Sequence, residues 1–300
     1  MIKKLYVIGN GFDIHHGINS SYISLREYCR VNDEELYMRL EKYYGDCDLL
    51  WANFEIGLSE LNPNYIMDFA KVGHDDWNTS WKGIYAFIDE VRNEVDYLQI
   101  SLKRAFAEWV EQLEKGDRES RLFFIWDDAL FLSFNYTHTL ERLYGIPQNK
   151  ICYIHGRATN QFSQLIFGHS CNENEIEAKI LDNNVLEEEA VKEIVRLLMD
   201  LRKDSYTIIQ QNNDFFDTLK NIEDVYILGH SLSIVDDLYF EKIKEVVPIT
   251  SNWIVSWHSD ADKANIDRLQ NKLNLPFSQY KPIKLKDLGN EFYPAIKFNN

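Results

Sequence analysis

Three polar side chains stand where apolar runs break off: Asp13, Asn135 and His155. Histidine has the side-chain pKa nearest neutrality, so His155 could act as a general base, typically worth about 10²- to 10⁴-fold in rate. The carboxamide of Asn135 can donate and accept hydrogen bonds at once and does not titrate, which suits it to orienting a water or a ribose hydroxyl. Asp13 admits two readings, a cap on the helix that follows and a carboxylate set beside a developing positive charge. The other two have plainer readings as well: Asn135 at a strand end with Thr137 capping the next helix, and His155 as a half-buried, locally bonded ring. His155 follows a strand, precedes Gly156 and comes 20 residues after Asn135, which weighs against the plain reading.

Two glycine turns could hold a phosphate near these groups. Leu5–Ile8 is an apolar run that enters Gly9-Asn10-Gly11-Phe12, and glycines one residue apart let a backbone turn tightly enough to approach an anion. The full dinucleotide fingerprint fails, because Ile14 stands where the third glycine belongs and a helical pattern replaces the acidic second strand. A tight structural turn therefore remains an open reading. Gly229-His230-Ser231 closes another strand, with Gly229 permitting close approach and Ser231 able to bond a ribose or phosphate, or else to cap a helix with Ser233. Asp236 and Asp237 read as caps of the next helix rather than catalysts. Seven of the eight histidines follow expected strands, yet no HxH or HExxH spacing occurs, so no metal site is expected.

The elements that must position these groups alternate strand, loop and helix. Stretches at 5–8, 129–134, 151–154, 165–167, 224–228 and 253–257 read as strands, the run 129–134 as one buried on both faces. Helical periodicity fills 33–115: one stretch from Leu49 to Leu61 is stopped by Asn62-Pro63, and the longest runs from Trp81 to Leu113 at spacings of three and four and ends at Gly116-Asp117. An acidic helical segment covers 172–204, and shorter helices are expected at 137–144, 215–219, 236–247 and 260–273. The pattern predicts an α/β, doubly wound, mostly parallel Rossmann-like sheet. Residues 1–32 and 120–300 form the core of this scheme, 33–119 a helical insertion and 172–222 a second, smaller one.

Composition narrows the partners. Lys and Arg number 32 against 48 Asp and Glu, a net charge of −16. That balance argues against general nucleic-acid binding and against an anionic membrane surface. The four cysteines form no CxxC pair, and reduced thiols in a cytoplasm fit best. No leader peptide or apolar span of membrane length is read from the chain.

At these residues the chain resembles the AbiH group of bacterial phage abortive-infection proteins. The motifs IGNGFDIHHG, WANFE, SFNYTHTLERLYG, YIHG, FGH and LGHSLSIVDDLYF carry the resemblance in order. That group is in turn similar to a distant branch of the sirtuin-like fold, with Gly9, Gly11, Asn135, His155 and Ser231 at matching places. The zinc cysteines of sirtuins are absent, and Thr137 stands for their aspartate. The resemblance implies a defence effector that hydrolyses the N-glycosidic bond of NAD or a related nucleotide. In this reading NAD is the substrate and no cofactor is required. The chain would act as a homo-oligomer, set off by a phage-derived or partner-protein trigger. A non-catalytic nucleotide sensor or partner-binding protein and a metal-dependent nuclease or hydrolase stay open beside it.

Overall fold

The computed structural model describes residues 2–45, 47–72, 76–115, 129–158, 164–180 and 188–287. They divide into two compact units: the described residues within 1–21, 110–165 and 205–300 form the first, and those within 22–109 and 166–204 the second.

In chain order the elements are β1 (Lys4–Ile8), α1 (Asn10–His15), α2 (Tyr22–Asn32), α3 (Glu34–Tyr43), α4 (Cys47–Ala52), α5 (Phe54–Gly57), α6 (Pro63–Lys71) and α7 (Trp81–Lys115). There follow β2 (Leu130–Ser133), α8 (Thr139–Tyr144), β3 (Ile151–Tyr153), α9 (Glu173–Ile180), α10 (Glu188–Asp200), α11 (Ser205–Gln211) and α12 (Asn213–Asp217). The chain continues through β4 (Asp224–Leu228), α13 (Asp237–Val246), β5 (Asn252–Trp257), α14 (Asp260–Lys272) and β6 (Tyr280–Lys284).

The first unit is built on one six-stranded sheet in the order β3-β2-β1-β4-β5-β6, and every pairing is parallel. This is the doubly wound order of dinucleotide-binding folds, whose topological switch point lies between the first and fourth strands. Leu5 sits in register with Leu130 on one side and Val225 on the other. Parallel strands covered on both faces need apolar side chains at successive positions, and Leu5, Tyr6, Val7 and Ile8 are all buried. On one face Tyr6 stacks between Phe131 and Tyr226, with ring centroids 5.2 and 4.9 Å away. Phe12 and Leu140 close the same cluster from α1 and α8.

The second unit is helical throughout its regular structure, from α2 to the bulk of α7 together with α9 and α10. Phe54 stacks on Trp51 and Phe106, which explains the aromatic residues of the WANFE motif as packing. Two charges inside it are matched: Glu94 accepts hydrogen bonds from Arg39 and the Tyr43 hydroxyl, and the buried Lys203 ammonium meets Glu55 at 2.9 Å.

Several expectations are corrected. Residues 165–167 form no strand; the nearest pairing is a single bridge between His169 and Arg202. The helical stretch ending at Asn62-Pro63 is broken into α4, α5 and a 3-10 turn, because at Gly57 the chain folds back to where a Cβ would lie 2.8 Å from Leu50 Cα. Asn62-Pro63 opens a helix instead of stopping one: Asn62 accepts from the Asn64 N–H and Pro63 takes the first helical position, where its missing N–H costs nothing. Helix α11, with no strong apolar stripe in the sequence, goes unforeseen. The stop expected at Gly116-Asp117 lies outside the described residues.

Candidate functional site

The turn after β1 meets the turn after β4 at the switch point. The Gly9 N–H donates to Leu228 O at 3.0 Å and the Gly11 N–H to Gly229 O at 2.6 Å. A Cβ at Gly9 would fall 2.4 Å from His230 Cα, one at Gly11 2.8 Å from Gly229 O, and one at Gly229 2.1 Å from Phe12 N. All three glycines are thus required by the approach of one backbone to the other, and the amides of Gly9 and Gly11 are spent on it. Gly229 also takes φ +63° and donates its N–H to Ser256 Oγ at 2.7 Å. Asn10 turns inward to Ser20, donating Nδ2 to its carbonyl at 2.8 Å while the Ser20 hydroxyl donates to Oδ1. Phe12 is a core residue, fully buried. Its carbonyl accepts from His16 Nδ1 at 2.7 Å, which leaves His16 Nε2 to accept from the Tyr144 hydroxyl at 2.6 Å.

Asp13 lies inside α1, so it caps nothing. Its buried carboxylate accepts from the Thr137 hydroxyl at 2.6 Å and the Thr139 hydroxyl at 2.7 Å. Thr137 is therefore bonded to Asp13 and does not cap α8, which begins at Thr139 behind His138. A carboxylate holding two hydroxyls of one turn fixes the loop that carries Asn135. Backbone bonds align that loop with the next strand end: Ile154 N–H to Ser133 O at 3.0 Å and Ala158 N–H to Tyr136 O at 2.8 Å. Asn135 is 6% exposed, and its Nδ2 is buried with no hydrogen-bond partner. Such an orphan costs about 1–3 kcal/mol unless something binds it.

His155 and His230 converge on Phe134, whose ring meets both edge-on at centroid distances of 5.1 and 4.5 Å. His155, 2% exposed, has Nε2 3.3 Å from the Tyr239 hydroxyl. The Leu232 N–H donates to His230 Nδ1 at 2.9 Å, so the proton of neutral His230 sits on Nε2, 3.5 Å from Asp236 Oδ2. Asp236 stands at the N-cap position of α13 without a side-chain cap bond, and Ser233 caps the 3-10 turn Ile234–Asp236 just before it, accepting from Val235 N–H at 3.5 Å. Asp237 instead receives both Nη atoms of Arg268, at 2.7 and 2.8 Å, and Lys272 at 3.0 Å. Ser231 is exposed, and its carbonyl accepts from Asn265 Nδ2 at 3.0 Å.

Beyond His155 the chain turns at Gly156, φ +81°, into Arg157. Arg157 Nη1 lies 3.8 Å from Glu141 Oε1, and its guanidinium sits 5.9 Å from the Tyr153 ring centroid. Tyr153 donates to the other Glu141 oxygen. Burial, and then that bond, push the Tyr153 hydroxyl well above the usual tyrosine range.

The structure thus brings His155 and His230, from the ends of β3 and β4, onto Phe134 next to Asn135, and ties the Asn135 loop to Asp13 through Thr137. The Asn10 side chain is turned to Ser20. Tyr239, Thr139, Ser256 and Arg157 escaped the sequence reading; Tyr239 and Thr139 had a signal, their places in the LGHSLSIVDDLYF and SFNYTHTLERLYG motifs. Among the described residues no group of three or more His, Cys, Asp or Glu is placed to hold a metal ion, and no helix is long and apolar enough to cross a membrane.

Compared with known proteins, residues 5–257 match the model of one family, described as Bacteriophage abortive infection AbiH. No curated protein and no solved structure matches.

Proposed function

The chain belongs to the AbiH family of bacteriophage abortive infection proteins, and from that premise we propose that its switch-point site hydrolyses the N-glycosidic bond of NAD or a related nucleotide. The reading rests on one observation above the others, the buried Asn135 amide donor that has no partner. A donor left open on a loop bonded to the segment that carries His155, at the strand ends where doubly wound sheets bind nucleotides, suits a sugar hydroxyl or an attacking water.

In the proposed reaction the C1′–N bond breaks with its electron pair going to nicotinamide, which leaves uncharged. Water forms the new bond at C1′, and its proton passes to His155 and then to solvent. Asn135 orients the water or a ribose hydroxyl. Asp13 acts through Thr137 and Thr139, keeping the loop in place, so its role is positional. His230 has both ring nitrogens engaged and serves to hold Phe134 and the loop after β4.

The test is to incubate the purified full chain with NAD, alone and with lysate of phage-infected cells, and to measure nicotinamide by chromatography. Release should fall by about 10²-fold or more in His155→Ala and about tenfold or more in Asn135→Ala. Release from neither preparation of the wild type, or equal release from His155→Ala, ends the proposal. The near-complete burial of both residues favours a second reading, tight nucleotide binding without turnover. Phage defence that survives His155→Ala would select it.

A further inference from the structure

Resting on that reading of the site, we propose that Arg157 is its anion-binding group and that the ligand class is phosphorylated nucleotides rather than nucleosides. The glycine turn is the usual cradle for a phosphate. Here the Gly9 and Gly11 amides donate to Leu228 and Gly229, and the Asn10 side chain is closed on Ser20. A phosphate brought to a chain of net charge −16 therefore needs a cation from elsewhere.

The basic residues around these strand ends are mostly committed. Arg142 donates to Glu114 O, Arg268 is spent on Asp237 and Leu232 O, and Lys272 pairs with Asp237 and Glu241. Arg157 differs. Its nearest carboxylate oxygen, Glu141 Oε1, stands at 3.8 Å, beyond hydrogen-bond reach, and that oxygen is itself buried with no hydrogen-bond partner. The guanidinium is thus steered by charge and by the Tyr153 ring while its donors make no hydrogen bond to a described residue, and its side chain is 29% exposed. Its backbone is fixed to the Asn135 loop, because the next residue, Ala158, donates to Tyr136 O at 2.8 Å. A planar fork of donors in that condition matches a phosphate bidentately.

The experiment is calorimetric titration of the full chain with ADP-ribose, AMP and adenosine, in wild type, Arg157→Ala and the shape-preserving Arg157→Gln, with circular dichroism to verify folding. Wild type should bind the phosphorylated ligands at least tenfold more tightly than adenosine, an advantage that shrinks with added salt. Both variants should lose about 10- to 100-fold for ADP-ribose and little for adenosine. Should either folded variant keep the wild-type preference for phosphate, Arg157 is not the anion partner, and nicotinamide release can still stand. If wild type binds none of the three, the nucleotide reading falls and this inference with it.

Discussion

Gly229 and Gly145 share almost the same φ, +63° and +64°, but not the same surroundings. Around Gly145 nothing lies within 4 Å of a Cβ, whereas at Gly229 a Cβ would stand 2.1 Å from Phe12 N and 2.4 Å from Gly11 C. Alanine at either place incurs the left-handed strain, about 1–2 kcal/mol. At Gly229 the two turns must also separate by more than an ångström to reach ordinary contact at 3.4 Å. That movement breaks the Gly11 N–H to Gly229 O bond of 2.6 Å and strands two backbone groups, a further ~2–4 kcal/mol. Gly229→Ala should therefore cost about 3–6 kcal/mol and Gly145→Ala about 1–2 kcal/mol. Urea unfolding of the full chain, followed by tryptophan fluorescence, measures both. Equal losses in the two variants would show that the switch-point turns are not locked together as described.

Other consequences follow from the same contacts. Asp13→Ala strands the hydroxyls of Thr137 and Thr139, which stand 3.0 Å apart and partly satisfy each other, so a loss of about 2–4 kcal/mol in thermal or urea unfolding is expected; under about 0.5 kcal/mol would contradict the carboxylate's role. Arg268→Ala removes the donor to Leu232 O and the fork on Asp237; amide exchange should quicken in residues 229–233, and unchanged protection there would count against the clamp. Burial pushes the Cys29 and Cys152 thiols up to about 12 from 9.0, with Asp33 adding to the effect at Cys29. In the native chain at pH 8, iodoacetamide should thus label the half-exposed Cys171 ahead of Cys29 and Cys152, as read by mass spectrometry. Because the folded state holds these protons more tightly, their contribution to stability is present below pH 9 and fades as pH rises towards 12. A urea midpoint that rises across that window in wild type relative to Cys152→Ala would contradict the sign.

Local signals carried much of the architecture. Strands covered on both faces must be apolar at successive positions, so Leu5–Ile8, Leu130–Ser133 and Val225–Leu228 announce themselves, and a long stripe at spacings of three and four announces α7. The stretch 165–167 misled for the same reason: Phe167 is apolar because it packs on Phe54 and Phe106, not because it pairs in the sheet. Asn62-Pro63 misled because proline both ends and begins helices, and only the Asn62 cap bond decides which.

By itself, then, the chain specified its alternation of strands and helices, the glycine turns, and an asparagine and a histidine at strand ends, since those depend on neighbours in sequence. What the glycines face, and what holds the polar groups, belongs to tertiary structure. Asp13 finds its hydroxyls 124 and 126 residues away, and Tyr239 reaches His155 across 84. Such pairings arise only when the sheet sets β2 and β4 on either side of β1, because hydrogen bonds and packing act over a few ångströms and carry no periodicity along the chain.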